Sequence, residues 1–176
     1  MHDVYISHSS KDIKRIQELQ SYIEKNNYSC FLATNPNENP NDEDFYMEKI
    51  GREMYYAKTF LLTISKNSLN SVQVKREMRL ADKYNKKIIP VILDDTDPED
   101  KKNNNIFSID YLTAGTQYLY WKKSEDREML IDTIKQHYKT AKTEEMETNE
   151  SDGLTGCLLF FIAIGIIFFV IAKLPL

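Results

Sequence analysis

The sequence predicts an α/β domain of the flavodoxin-like type, with a five-stranded parallel sheet in the order 2-1-3-4-5, helices on both faces, and one transmembrane helix after it. Two patterns indicate the domain. Short β-type runs alternate with longer segments of helical period, and one run, Thr59 to Ser65, is apolar enough for a central strand covered on both faces. A third pattern indicates the transmembrane helix, because Leu154 to Ala172 contains no charged residue.

The elements of the domain follow one another from residue 3 to residue 138. The strands are predicted at Asp3–Ser7, Tyr28–Leu32, Thr59–Ser65, Lys87–Leu93 and Gln117–Trp121. The main helices are predicted near Lys11–Lys25, at Glu43–Ala57, from the stretch Asn70–Met78 to about Tyr84, and at Glu125–Tyr138. A weaker helical pattern follows Asn105, and Pro90 suggests that the fourth strand lies at a sheet edge or carries a bulge.

The chain is expected to have three parts: the domain at residues 1–139, an acidic flexible linker at 140–153, and a transmembrane helix at 154–173. Nineteen residues at about 1.5 Å each cover the hydrocarbon core of a bilayer. The alternative, a buried core helix, is disfavoured because the segment is apolar all round, whereas a helix at the surface of a small domain shows a polar face. Only Lys173 to Leu176 follow, which predicts a single-pass, tail-anchored protein. The first residues do not resemble a secretory signal, so the domain is expected in the cytoplasm.

The amino-acid composition limits the kinds of partner that the chain is expected to bind. The chain carries 23 Lys and Arg against 27 Asp and Glu, and no basic block, which disfavours nucleic acid. The two cysteines, Cys30 and Cys157, are far apart and have no CxxC or Cys/His spacing. They are therefore interpreted as reduced packing residues, and no metal site is expected.

In the predicted strand order, a crevice opens at the C-terminal ends of strands 1 and 3. The loops there begin at Ser7-His8-Ser9-Ser10 and at Ser65, and the loop after strand 2 runs from Ala33 to Pro40. They lack the acids of a receiver domain, and the chain has neither GxGxxG, GxxxxGK[ST] nor GxSxG, so dinucleotide-fold, P-loop and serine-hydrolase sites are disfavoured. His8 is left open as a general base or a polar loop residue.

One acid, Glu77, lies at the edge of an apolar helical stripe formed by Val74, Met78 and Ala81. That position allows its carboxylate to lean over the C-terminal rim of the sheet. Periodicity alone favours an ordinary solvated acid, paired with Lys75, Arg76 or a nearby lysine.

Three stretches, taken together, resemble the Toll/interleukin-1 receptor (TIR) domain family, especially its bacterial members. They are "DVYISHSSKD" from Asp3, "CFLATNPNENPNDEDF" from Cys30, and "SKNSLNSVQVKREMRLA" from Ser65, in the order of the family's first-strand box, BB loop and third box. The last contains the family spacing S-x-x-V-x-x-E as Ser71, Val74 and Glu77. Two departures are Gln73, where many members have Trp, and Asn41, where the BB loop usually has Gly after Pro.

The resemblance implies that Glu77 carries cleavage of NAD+ between nicotinamide and ribose, with NAD+ as substrate and no cofactor. Ser7, His8, Ser9 and Ser71 become candidates for hydrogen bonds to ribose or phosphate. Phe45 or Tyr5 becomes a candidate for packing against a base. Each of these supporting residues suits a structural role equally well.

The leading hypothesis is a membrane-anchored TIR enzyme, an NAD+ hydrolase or ADP-ribosyl cyclase, that acts in bacterial defence against phage. It is expected to assemble through its TIR domains, to meet the bilayer through Leu154 to Ala172, and to serve a defence-system partner. The alternative is a TIR adaptor or scaffold without chemistry, which Gln73 in place of Trp favours and the retained Glu77 disfavours. Killing by the apolar tail itself is disfavoured, because no intramembrane charge marks an ion path.

Overall fold

The structure is a computed structural model that describes residues 2–33, 43–98, 113 and 115–143, with the backbone alone at 43–46. The chain divides into two compact units, residues 1–138 and residues 139–176. The second unit is described only at residues 139–143, which are helical. The fold that follows is that of the first unit.

Five parallel strands form one sheet in the order β2-β1-β3-β4-β5. They are β1 (Val4–Ser7), β2 (Cys30–Leu32), β3 (Thr59–Ile64), β4 (Ile88–Ile92) and β5 (Leu119–Tyr120). The α/β class, the parallel sheet and the predicted strand order are thus confirmed. Every residue of β3 is buried, as expected for a strand with neighbours on both sides and helices on both faces.

Helices connect the strands and cover the sheet. A short 3-10 helix (Ser10–Asp12) leads into α1 (Ile13–Lys25), and α2 (Glu43–Tyr56), α3 (Lys66–Leu69) and α4 (Val72–Lys83) follow. The last helix of this unit, α5, begins at residue 124. The third predicted helix corresponds to α4, which begins at Val72 because Ser71 adopts an extended conformation and caps it, and the short α3 before it was not predicted.

The two faces of the sheet carry separate apolar layers. Tyr5 of β1 packs in a cluster with Ile50 of α2 and Met78 of α4. Its neighbour Ile6 packs in a second cluster with Ile16 of α1 and residues of α5. Because side chains alternate along a strand, Ser7 shares the face of Tyr5, beneath α2 and α4.

The interpretation of Pro90 as a sign of an edge strand or a bulge is wrong. β4 lies between β3 and β5, and its register with β3 runs without interruption from Ile89 through Pro90 to Val91. A proline is tolerated there because β5 is short and pairs only with Val91 and Ile92. Pro90 therefore lies just before the part of β4 that is paired on both sides. A proline within that part would leave β5 without a backbone N–H donor.

Several predictions fall outside the described residues. These are the BB loop after β2, the weak helical segment after Asn105, and the transmembrane helix at 154–173. Within the part of the chain that the structure describes, no helix is long and apolar enough to cross a membrane.

Candidate active site

Glu77 is placed by a helix that both its cap and its apolar face hold in position. The Ser71 hydroxyl accepts a hydrogen bond from the Val74 amide at 3.3 Å, which satisfies one of the free donors at the start of α4. Val74, Met78 and Ala81 then anchor α4 on the sheet. Glu77 lies between Val74 and Ala81 on the same side of the helix and is buried with them.

The Glu77 carboxyl meets the C-terminal end of β1. The Ser7 hydroxyl donates to Oε2 at 2.5 Å, and the Gln73 amide, one helical turn before Glu77, donates to Oε1 at 3.3 Å. Only 2% of Glu77 is exposed to solvent. Each carboxyl oxygen thus has a donor, which fixes the orientation of the group.

This environment changes the acidity of Glu77. Burial raises its pKa to about 7, while hydrogen bonds from Ser7, Gln73 and Tyr5 favour the ionised form and oppose that rise. A carboxyl group with this pKa is about half ionised at neutral pH. Carboxyl groups with strongly shifted pKa values cluster at functional sites, so Glu77 is a candidate catalytic residue.

Glu77 also lines a pocket of about 210 Å³ between α2 and α4. Met47 and Ile50 form the side of the pocket that belongs to α2, and Gln73 and Leu80 lie beside Glu77 on α4. A volume of this size encloses a sugar or a single ring rather than a whole dinucleotide, since pockets for drug-sized ligands have about 300 Å³ or more. Glu77 is therefore buried from bulk water, yet it is one of the residues around a space that could hold part of a ligand.

The predicted site residue Ser7 is thus in contact with Glu77, whereas His8 and Ser9 make other bonds. His8 Nδ1 lies 3.2 Å from the Ile6 carbonyl oxygen, and burial lowers the pKa of the histidine, which favours the neutral ring. The Ser9 hydroxyl accepts from the Lys11 amide at 3.4 Å and caps the 3-10 helix. Both stay near the end of β1 and shape its loop.

The two other predicted site residues lie on the helices. Ser71 acts as the cap of α4. Phe45 belongs to α2, but its side chain is outside the described residues. Among those residues, no group of three or more His, Cys, Asp or Glu side chains is placed to hold a metal ion.

Sequence reasoning missed a buried network that joins the loops after β1 and β3. The carboxylate of Asp12 accepts from the Ser65 hydroxyl at 2.6 Å and from the Asn67 amide at 2.7 Å, and only 5% of Asp12 is exposed. The signal in the sequence was Asp12 at the end of the first box, together with Ser65 and Asn67 at the start of the third. This network joins the end of β1, where Ser7 lies, to the end of the neighbouring strand β3.

Comparison with known proteins places this geometry in a family. A family model described as "TIR domain" matches residues 4–131. No protein with a curated function matches the sequence.

Three solved structures share the fold. The TIR domain of the Toll-related receptor TRR-2 from Hydra magnipapillata has a TM-score of 0.57 and 16% identity, over 77% of this chain and 99% of that chain. The TIR domains of the activated Roq1 resistosome, which directly recognises the pathogen effector XopQ, have a TM-score of 0.54 and 14% identity, over 76% of this chain and 99% of that chain. The CMP N-glycosidase BcmB from Clostridium botulinum has a TM-score of 0.51 and 16% identity, over 73% of this chain and 97% of that chain.

At these identities the three structures support the fold alone, but the family model covers most of the chain and all of the residues that hold Glu77. The chain belongs to the TIR domain family.

Proposed function

We propose that this chain is a TIR enzyme that cleaves the bond between nicotinamide and ribose in NAD+, with Glu77 as the catalytic residue. The observation that carries the proposal is the Glu77 carboxyl itself, which is buried and held by Ser7 and Gln73, in a residue that lines the pocket between α2 and α4. A carboxyl of this kind supplies negative charge at a fixed point, without a metal.

The chemistry of NAD+ suits such a group. Nicotinamide leaves with the electron pair of the glycosidic bond, so the cationic pyridinium becomes a neutral molecule and positive charge develops on the ribose ring. The ionised Glu77 stabilises this oxocarbenium-like state. Addition of water at the ribose carbon, with loss of one proton, gives ADP-ribose, and addition of a nucleophile from the same molecule gives a cyclic product.

The comparisons support the class of bond. BcmB is named a CMP N-glycosidase, which acts on a bond between a base nitrogen and ribose. The same fold therefore occurs in a protein that breaks an N-glycosidic bond, and a buried carboxylate beside a small pocket suits that reaction in this chain.

We further propose that activity depends on assembly at a membrane. The apolar segment Leu154 to Ala172 supports anchoring of the chain, with the TIR domain on the cytoplasmic side. The similarity to TIR domains within an activated resistosome supports self-association. Confinement to a bilayer raises the local concentration of TIR domains and so favours their assembly. Activity that begins on assembly suits a role in bacterial defence against phage, with a partner from the same defence system.

The test uses the full chain in lipid vesicles, given NAD+ or CMP, with release of the free base and formation of ADP-ribose or a cyclic product followed by chromatography. We expect nicotinamide release from NAD+ and much less of it from dilute protein in detergent. Glu77→Gln should greatly reduce this release. Its matched control is Glu128→Gln, at an exposed acid of α5, which should leave the rate unchanged. Absence of release from wild type at high surface density would favour the scaffold instead.

A further inference from the structure

The pocket that contains Glu77 has a cationic rim. Arg76, Arg79 and Lys83 line it together with Glu77, the single acid among its described lining residues. All three cations are exposed. Their spacing of three and then four residues places them in one row along α4.

These charges are not used within the described part of the chain. There, neither Arg76 nor Arg79 has a hydrogen bond or an ion pair, and Lys83 lies with its ammonium group 5.9 Å from the centre of the Tyr84 ring. The one acid among the described lining residues is already engaged, since both oxygens of Glu77 accept bonds from Ser7 and Gln73. Like charges in a row on a helix destabilise it slightly, and a bound anion would remove that cost.

The dimensions of the rim suit phosphate groups. With a rise of about 1.5 Å per residue, Arg76 and Lys83 are about 10 Å apart along the axis of α4, which spans a phosphate or a diphosphate with its adjoining sugar. The pocket of about 210 Å³ encloses only part of a nucleotide. If the ribose lies at Glu77, the phosphates must lie toward the rim, where guanidinium groups bind them in a bidentate manner.

We propose that Arg76 and Arg79, with Lys83, bind the phosphate of the substrate and restrict it to phosphorylated nucleotides. This rests on the proposed function only for the identity of the substrate, because the anion site itself is a matter of binding. Free nucleosides and nicotinamide riboside would then be poor ligands. The competing interpretation, a solvated basic helix face, predicts no preference for phosphate.

The test measures equilibrium binding to the full chain in discs of zwitterionic lipid. ADP-ribose is the probe, because it carries the diphosphate and requires no catalysis, and ribose is the phosphate-free comparison. The double variant Arg76→Gln/Arg79→Gln removes two exposed charges from the rim. Lys14→Gln/Lys75→Gln, which removes two charges from outside the pocket lining, is the matched control.

We expect the rim variant to bind ADP-ribose at least about 10-fold more weakly, with a reduced dependence on salt, and the control to bind within about 2-fold of wild type. In turnover, the rim variant should raise KM for NAD+ more than it lowers kcat. Unfolding temperatures of the variants should equal or slightly exceed that of wild type, which separates lost binding from lost structure.

Three outcomes would overturn the proposal: equal binding of ADP-ribose by the rim variant and wild type, no binding by wild type, or a role of the arginines only in binding vesicles of anionic lipid. The two proposals fail in different ways. Binding of ADP-ribose that depends on the arginines, without nicotinamide release, would refute the proposed reaction and retain the phosphate site. Release that is unaffected by the rim variant at low NAD+ would do the reverse.

Discussion

The Ser7 hydroxyl donates a hydrogen bond of 2.5 Å to the Glu77 carboxyl and joins β1 to α4 across 70 positions of the sequence. Both groups are buried, so water does not compete for this bond. The bond fixes the carboxyl at the C-terminal end of β1 and favours its ionised form.

The first prediction concerns the pH profile of the reaction. Because the ionised form of Glu77 is the catalytic one and its pKa is about 7, the rate should rise by about 10-fold per pH unit below 7 and level off above it. Ser7→Ala removes a donor to the carboxylate, so the midpoint should move to higher pH and the rate at pH 7 should fall. Ser9→Ala, which removes only a cap of the 3-10 helix, should not move the midpoint. An unchanged midpoint in Ser7→Ala would contradict this role of Ser7.

The second prediction concerns Gln73. The hydrogen bond from the Gln73 side-chain amide to Glu77 is longer than the one from Ser7, 3.3 Å against 2.5 Å. It therefore opposes the rise in the pKa of Glu77 to a smaller extent. Gln73→Met should therefore raise the midpoint of the pH profile by less than Ser7→Ala does. A larger shift than that of Ser7→Ala would show that the hydrogen bonds are ranked wrongly.

The third prediction concerns stability. The folded-state pKa of about 7 exceeds the ordinary value of 4.5, so the folded protein holds the proton between those values and loses stability as pH rises through them. Ionised Glu77 costs up to about 3 kcal/mol above pH 7. Glu77→Gln carries no such charge, so its free energy of unfolding, relative to wild type, should increase from pH 4 to pH 8. Urea titrations at both pH values measure this, and a constant difference would contradict the raised pKa.

The fourth prediction concerns Asp12. Asp12→Ala leaves the buried Ser65 hydroxyl without its acceptor and frees the Asn67 amide, which should lower the free energy of unfolding by about 2 kcal/mol. Asp82→Ala, at an exposed position of α4, should change it by about 0.5 kcal/mol or less. Equal effects of the two substitutions would argue against the network.

Much of the fold could be predicted because its cause is local. The apolar run of β3 and the helical period of α1 and α4 are visible in short windows. Alternation of strands with helices implies a parallel sheet, and the order 2-1-3-4-5 is a common one for a domain of this size. Periodicity also placed Glu77 beside the apolar stripe. The edge position inferred from Pro90 failed because it depends on how far β5 extends beside β4, which no local pattern reveals.

The site was less predictable, because its contacts join distant residues. Ser7 was a candidate for binding substrate, but its bond to Glu77 depends on the height of α4 above the sheet. The Asp12 network depends in the same way on two loops that meet at neighbouring strand ends. The cations at 76, 79 and 83 are visible in the sequence, but only the pocket between α2 and α4 relates them to Glu77.

The most direct measurement is the rate of nicotinamide release from NAD+ by the full chain in lipid vesicles, for wild type and for Glu77→Gln, at pH 8. Glutamine keeps the shape of the side chain and its oxygen for Ser7, but not the negative charge. We predict measurable release by wild type and a fall in kcat of at least about 100-fold in Glu77→Gln. Equal rates for the two proteins would contradict the role assigned to Glu77.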